Sequence, residues 1–380
     1  MDRMTIVTIQ PGDSLYKIGK SYGVSVEQLV EANGIDPHKY LVVGDSLIVP
    51  SPREKSGPLM VNGYAYPFID REVLQKTLPY LTYLSIFSYG VTEEGGLVPP
   101  PLGDEELIEA ARAAGVAPMM VLTTVDESGG FNSERAVSLL ENTDRRARLA
   151  EELRRVIEEK GYYGVDVDME YIPGNLRQNY VDFVAYLKEQ LAPHPVFVAL
   201  APKTSREQRG LLYEAHDYAG MGEAADMALI MTYEWGYAFG PPMAVAPLPN
   251  VEQVMNFAVG EIPKEKLLMG MPNYGYDWPI PFNKANPARS IGNYEGVAIA
   301  RKYGAEIQYD ETAQAPWFRY YDARGNQHEV WFEDARSYQA KLGLVRDLGI
   351  AGVSIWNVMR WYKPLYTLLD GYFDIVKINR

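Results

Sequence analysis

GYYGVDVDMEYIPG, residues 161–174, places three carboxylates, Asp166, Asp168 and Glu170, at every second position of an apolar run. Side chains of a strand alternate between its faces, so the three acids share one face and Val165, Val167 and Met169 the other. If the apolar face packs under helices, the acids point into an interior. An ionised carboxylate without a partner is costly there. Neighbouring acids also resist joint ionisation, so Asp166 and Asp168 are expected to share a proton. Glu170, at the rim above a negative neighbour, is expected to have a raised pKa, which suits a general acid. Three readings account for such a ladder: a buried polar network, an oxygen-ligand site for a hard cation, and glycoside hydrolysis.

The surrounding sequence places this strand fourth of eight. Strand-like runs fall at 59–66, 81–90, 117–125, 163–171, 195–203, 226–234, 266–275 and 350–358, with helical patterns between them. One such helix, TDRRARLAEELRRVIEEKG, carries Leu149, Ala150, Leu153, Val156 and Ile157 on a single stripe, leaving its charges on a solvated face. Another, GDEELIEAARAAG, has Asp104 as its cap and Gly115 as its stop. Eight strands alternating with helices predict an α/β fold, a (β/α)8 TIM barrel over 59–380. A small α+β insertion is expected between strands seven and eight, at about 303–334, around the turn DARGNQ. The acids then lie at the C-terminal mouth of the barrel, where such folds build their sites.

Residues 1–50 form a separate unit of order strand, helix, helix, strand, with Ser14 and Ser25 as helix caps, and SPREKSGP leads out of it as a linker over 51–58. The net charge of −14 argues against a nucleic-acid partner. The chain has no cysteine, and its four histidines show no ligand spacing, so no metal or other cofactor is expected. Neither a signal peptide nor a membrane-inserting segment is evident, and a monomer is expected.

YYGVDVDMEY resembles the Asp-x-x-Asp-x-Asp-x-Glu strand motif of glycoside hydrolase family 18, with Tyr163 in place of the first Asp. The resemblance implies substrate-assisted hydrolysis with retention: Glu170 as acid and then base, Asp168 as partner of the substrate acetamido group, and Asp166 as its buried modulator. IMTYEWG resembles the sixth-strand motif, which gives Tyr233 as a hydroxyl donor to the acetamido oxygen, with Glu234 where Asp is usual. GMPNYGYDW resembles the segment lining the sugar subsites and makes Asn273, Tyr276 and Trp278 candidates. GVSIWN resembles the eighth strand, with Trp356 as the floor beneath the sugar. Trp235 and Tyr64 are further substrate-binding candidates. The third-strand Ser-x-Gly-Gly signature is absent, and MVLTTV stands there, which counts against a chitinase.

PGDSL, LVEANGI and VGDSLIVP resemble a LysM glycan-binding module, which implies a shallow groove between Gly12, Asp13, Ser14 and Leu15 on one side and Asn33, Gly34 and Ile35 on the other. MTYEWGYAFGPPMAVAP, AEIQYDETAQAPWF and HEVWFEDARS resemble the spore cortex-lytic N-acetylglucosaminidases of the same family, whose members commonly carry two LysM modules rather than one. The implied partner is peptidoglycan or another N-acetylglucosamine-containing glycan, and the implied location is the spore coat, cortex or cell wall. A non-catalytic glycan-binding barrel and a chitinase remain as alternatives. The intact Glu170 favours an enzyme.

Overall fold

The computed structural model describes residues 4–52, 54–126 and 129–378. Eight parallel strands form the barrel: Pro58–Ala65, Tyr83–Val91, Ala117–Thr123, Gly164–Asp168, Val196–Leu200, Met227–Ile230, Leu267–Pro272 and Gly352–Trp356. Each pairs with the next, and the eighth pairs with the first to close the ring. Several stop short of their expected C-terminal ends, because the backbone leaves the ladder there to form the loops of the mouth. Glu170, Tyr233 and Glu234 therefore stand just beyond strand ends.

The alternation in strand four works as its pattern requires. Val165, Val167 and Met169 are fully buried in the layer between barrel and helices, in the same core as Leu149, Leu153, Ile157, Phe183 and Leu187. Helix Thr143–Lys160 buries the stripe read from its sequence. Below the acids the barrel interior is apolar and aromatic: Tyr163 lies 6.2 Å from Tyr83, whose ring meets Phe197 edge-on at 5.0 Å. Tyr163, the departure from the motif, thus packs the floor and stays away from the chemistry.

Asp104 does not cap its helix. No cap hydrogen bond forms, and the carboxylate turns inward to Lys160 Nζ at 2.6 Å and to the hydroxyls of Tyr89 and Tyr162.

The insertion begins earlier than expected. An antiparallel sheet of five strands runs from Gly275 to Trp331 and includes Gly275–Ile280, with helix Asn293–Tyr303 beside it. GYDW leaves the barrel because it pairs antiparallel with the strand Gln327–Trp331, Tyr276 opposite Trp331 and Trp278 opposite Glu329.

The N-terminal unit has its expected order, with Thr5–Thr8 antiparallel to Ser46–Val49 and helices Leu15–Tyr22 and Val26–Asn33 between them. Ser14 and Ser25 accept the cap hydrogen bonds from Lys17 N and Gln28 N. The unit is docked on the barrel. Ile307 N donates to Val43 O at 3.0 Å, Thr367 Oγ1 to Ala32 O at 2.7 Å, and Arg336 reaches Thr8 Oγ1 and Gly44 O. Gly44, at φ +84°, is required there, since a Cβ would lie 1.7 Å from Ile307 O. Among the described residues no helix is long and apolar enough to cross a membrane.

Candidate active site

The acids form a ladder from the barrel interior to its mouth. Asp166 is fully buried; Ser85 Oγ lies 2.9 Å from its Oδ2 and 3.0 Å from Asn62 Oδ1, and Asn62 Nδ2 donates to Ser354 Oγ. This polar layer ties strands one, two, four and eight together beneath the site. Burial pushes Asp166 up to about 6 against the hydrogen bonds of Tyr64 and Ser85. Asp168 is pushed well above the ordinary range, by burial first and then by the charges of Glu170 and Asp166. No hydrogen bond joins Asp166 to Asp168 among those described; the two acids act on one another through charge, and each disfavours ionisation of the other. Asp168 lines the cleft, and its buried Oδ1 has no protein partner.

Glu170 stands at the rim with its carboxyl raised to about 7, by burial and then by the negative charge of Glu234. The raised value was anticipated, but its charged cause lies across the cleft rather than below on the same strand. Glu234 accepts from the hydroxyls of Tyr274 and Tyr276, the latter at 2.9 Å. Its backbone is left-handed, φ +67°, as is that of Tyr171 beside Glu170, φ 58°. Two non-glycine residues so strained, after strands four and six, mark a place where geometry is fixed at a cost to local stability.

The cleft, about 680 Å³, is lined by Asp168, Glu170, Tyr233, Glu234, Tyr276 and Trp356. Trp356 ends strand eight and packs against Tyr64 at 5.2 Å and Phe87 at 5.4 Å, and both the tryptophan and Tyr64 line the cleft. Among the described residues no cluster of His, Asp and Glu has the spacing of a metal site.

Three candidates do not line the cleft. Trp278 is fully buried and donates its indole N–H to Gly240 O at 2.9 Å. It belongs to the insertion sheet, whose pairing turns it into the core between sheet and loop. Asn273 is buried as a strut, its amide donating to Asn357 O and Arg360 O and so fixing the loop after strand eight. Trp235 follows the strained Glu234, and its amide bonds Val245 O while its ring packs against the main core.

In the N-terminal module, Leu15 is core and Asn33 is structural, its side chain bonding Leu29 O, Ile48 O and Ile48 N. Asn33 O accepts the Tyr294 hydroxyl, and Gly34 lies against Tyr294 and Lys363. This side of the expected groove therefore abuts the larger domain, and a cavity of about 520 Å³ lined by Asn33, Gly34, Ile35, Tyr294 and Arg301 stays open between them, while Gly12 has open space around it and Asp13 and Ser14 cap local backbone. Ile35 packs on the module's own core.

Sequence reading missed His216. Its Nδ1 accepts from Ala201 N at 2.8 Å, which leaves the proton on Nε2 to be donated to Met169 O at 3.1 Å. Burial holds this imidazole down to about 4, so it stays neutral and pins the peptide between Asp168 and Glu170. The partner is 47 residues away, and no local pattern signals it.

Residues 126–360 match Glycosyl hydrolases family 18, and residues 7–50 match the LysM domain. The cortical fragment-lytic enzyme of Bacillus subtilis (strain 168) is 36% identical over 98% of this chain and 99% of its own length. That of Bacillus anthracis is 35% identical over the same shares. The crystal structure of the Bacillus cereus spore cortex-lytic enzyme SleL superposes over the whole of both chains with a TM-score of 0.93 at 31% identity. A closed eight-stranded barrel with an acid ladder at its mouth, matched along its length by these relatives, belongs to glycosyl hydrolases family 18 and carries an N-terminal LysM domain.

Proposed function

We propose that this chain is a retaining, substrate-assisted endo-β-N-acetylglucosaminidase that cleaves spore-cortex peptidoglycan during germination and is held at the cortex by its LysM module. The observation that carries the mechanism is the pair at the end of strand four. Glu170, near neutrality, holds a transferable proton, and Asp168 below it offers a buried acceptor without a protein partner to the cleft. In the proposed reaction the 2-acetamido carbonyl oxygen of the bound sugar attacks its anomeric carbon as Glu170 gives its proton to the departing glycosidic oxygen. Asp168 accepts the acetamido N–H and stabilises the oxazolinium cation, and the Tyr233 hydroxyl donates to the attacking oxygen. Water then adds to the anomeric carbon, Glu170 takes its proton, and the ring reopens with retained configuration. An internal nucleophile held in line removes much of the entropic barrier. Trp356 supplies an apolar face for the sugar ring.

The relatives named for cortex lysis, together with this chain's own LysM domain, support cortex as the substrate and the wall or cortex as the location. The test is digestion of purified cortex and of chitin by the parent chain and by Glu170→Gln, read by mass spectrometry. Cortex fragments with reducing N-acetylglucosamine ends, released by the parent and slowed about 10³-fold in the variant, are expected. Equal behaviour of the two proteins, with glycan binding retained, would assign a lectin. Preferential release from chitin would assign a chitinase.

A further inference from the structure

A second groove, about 520 Å³, opens beside the catalytic cleft and shares Tyr66, Phe68 and Phe87 with it. Its floor reaches Thr123, which pairs in register with Asp168, so the groove starts one strand, about 4.8 Å, from the catalytic ladder. The chemistry of its walls is unlike that of the cleft. Pro99, Pro100 and Pro101 form one side and bring no amide N–H. Val98 and Leu102 flank them, and Leu102 is 54% exposed, as is 63% of Phe68 opposite. Apolar side chains gathered and exposed in this way mark a binding surface. The hydroxyls at the floor, Ser88 and Thr123, lie 3.3 Å apart and satisfy one another. A sugar ring, ringed with hydroxyls, finds few partners here. Beside Val125 and Gly129, which also line the cleft, Asp126 and Arg135 introduce charges of both signs.

Given the peptidoglycan reading, on which this inference rests, the strand itself names an occupant. N-acetylglucosamine alternates with muramyl sugars, so an N-acetylglucosamine at the catalytic position has a muramyl neighbour on either side. At whichever end of the cleft the groove lies, a muramyl neighbour that is not closed to a lactam carries a lactyl group. Joined to a peptide, the lactyl group is a neutral amide followed by alanyl methyls and then by charged termini. A free lactyl carboxylate would instead face the acids of the cleft. We infer that the groove walled by Val98–Leu102 and Phe68 binds the lactyl-peptide branch of the muramyl sugar next to the cleaved bond, so that the enzyme prefers peptide-bearing strands.

The experiment compares kcat/KM of the full chain on peptidoglycan fragments that keep their peptides with that on the same fragments stripped by an N-acetylmuramoyl-L-alanine amidase. The parent is expected to favour the peptide-bearing fragments about tenfold, the discrimination of a methyl-sized apolar contact. Leu102→Glu and Val98→Glu, at exposed positions away from the acids, are expected to lose that preference while cleaving stripped fragments at the parent rate. Equal parent rates on both substrates would overturn the inference. So would variants that slow both substrates alike, since the groove would then hold sugar. Cleavage of neither substrate by the parent would overturn the peptidoglycan reading and the groove assignment with it.

Discussion

Two buried acid clusters of the barrel are built on opposite terms. Asp104 is buried behind the second and third strands, and burial alone would raise its carboxyl; Lys160 and the hydroxyls of Tyr89 and Tyr162 more than offset this and hold it below the ordinary range. Among the described residues no such cation pairs with the ladder at the mouth. Asp166 rises to about 6, Glu170 to about 7, and Asp168 well above the carboxylate range. A buried acid with a cation is a structural tie. A buried acid without one destabilises the fold at neutral pH and keeps a proton for use. Glu333, buried against Lys341 Nζ at 2.8 Å, belongs with Asp104 in having a cation partner.

That contrast breaks if the two kinds of acid respond alike to neutralisation. Glu170→Gln carries the largest effect, the 10³-fold loss of rate given above, with a melting temperature at pH 8 equal to or above the parent's. Asp104→Asn is expected to lower stability by about 2–3 kcal/mol at pH 7, because Lys160 loses its carboxylate and two hydroxyls lose a charged acceptor. Turnover per folded molecule at moderate temperature should stay at the parent level; a loss of rate without a loss of stability would place Asp104 in the chemistry.

Asp166→Asn sharpens the contrast through pH. The folded pKa lies above the unfolded one, so the folded state binds more protons between about pH 4 and pH 6, and stability falls as pH rises through that window. The shift from 3.8 to about 6 corresponds to about 3 kcal/mol. Denaturant unfolding should show the variant stabilised at pH 7 and flatter in its pH dependence, with little gain at pH 4. A steeper dependence would contradict the assignment. The smallest effect belongs to Glu234→Gln. Removing the charge that faces Glu170 lowers the pKa of the acid, so the alkaline fall of kcat/KM should move down by about half a unit. An upward move would mean that Glu234 acts by another route.

The acid ladder was legible because a period of two leaves no choice of face, and the barrel followed from eight apolar runs with helices between. Tyr233, Glu234, Tyr276 and Trp356 followed from motif likeness and all line the cleft. Trp278 was misplaced because the chain leaves the barrel at Pro272 and the strand from Gly275 obeys the register of an antiparallel sheet formed with a segment some fifty residues on, and Asn273 because its amide turns to the loop after strand eight. Asp104 read as a helix cap since its partner Lys160 is distant in sequence, and His216 was silent for the same reason. Local pattern shows which face a side chain takes; it does not show which remote group meets it there.

The measurement that bears most directly on this account is the melting temperature and the turnover of Asp168→Asn, taken on the same preparation at pH 7. An acid held in the barrel for catalysis predicts a melting temperature above the parent's together with a rate lower by about 10²-fold or more. A melting temperature that falls, as for Asp104→Asn, with turnover intact would make the ladder a structural network and contradict the account.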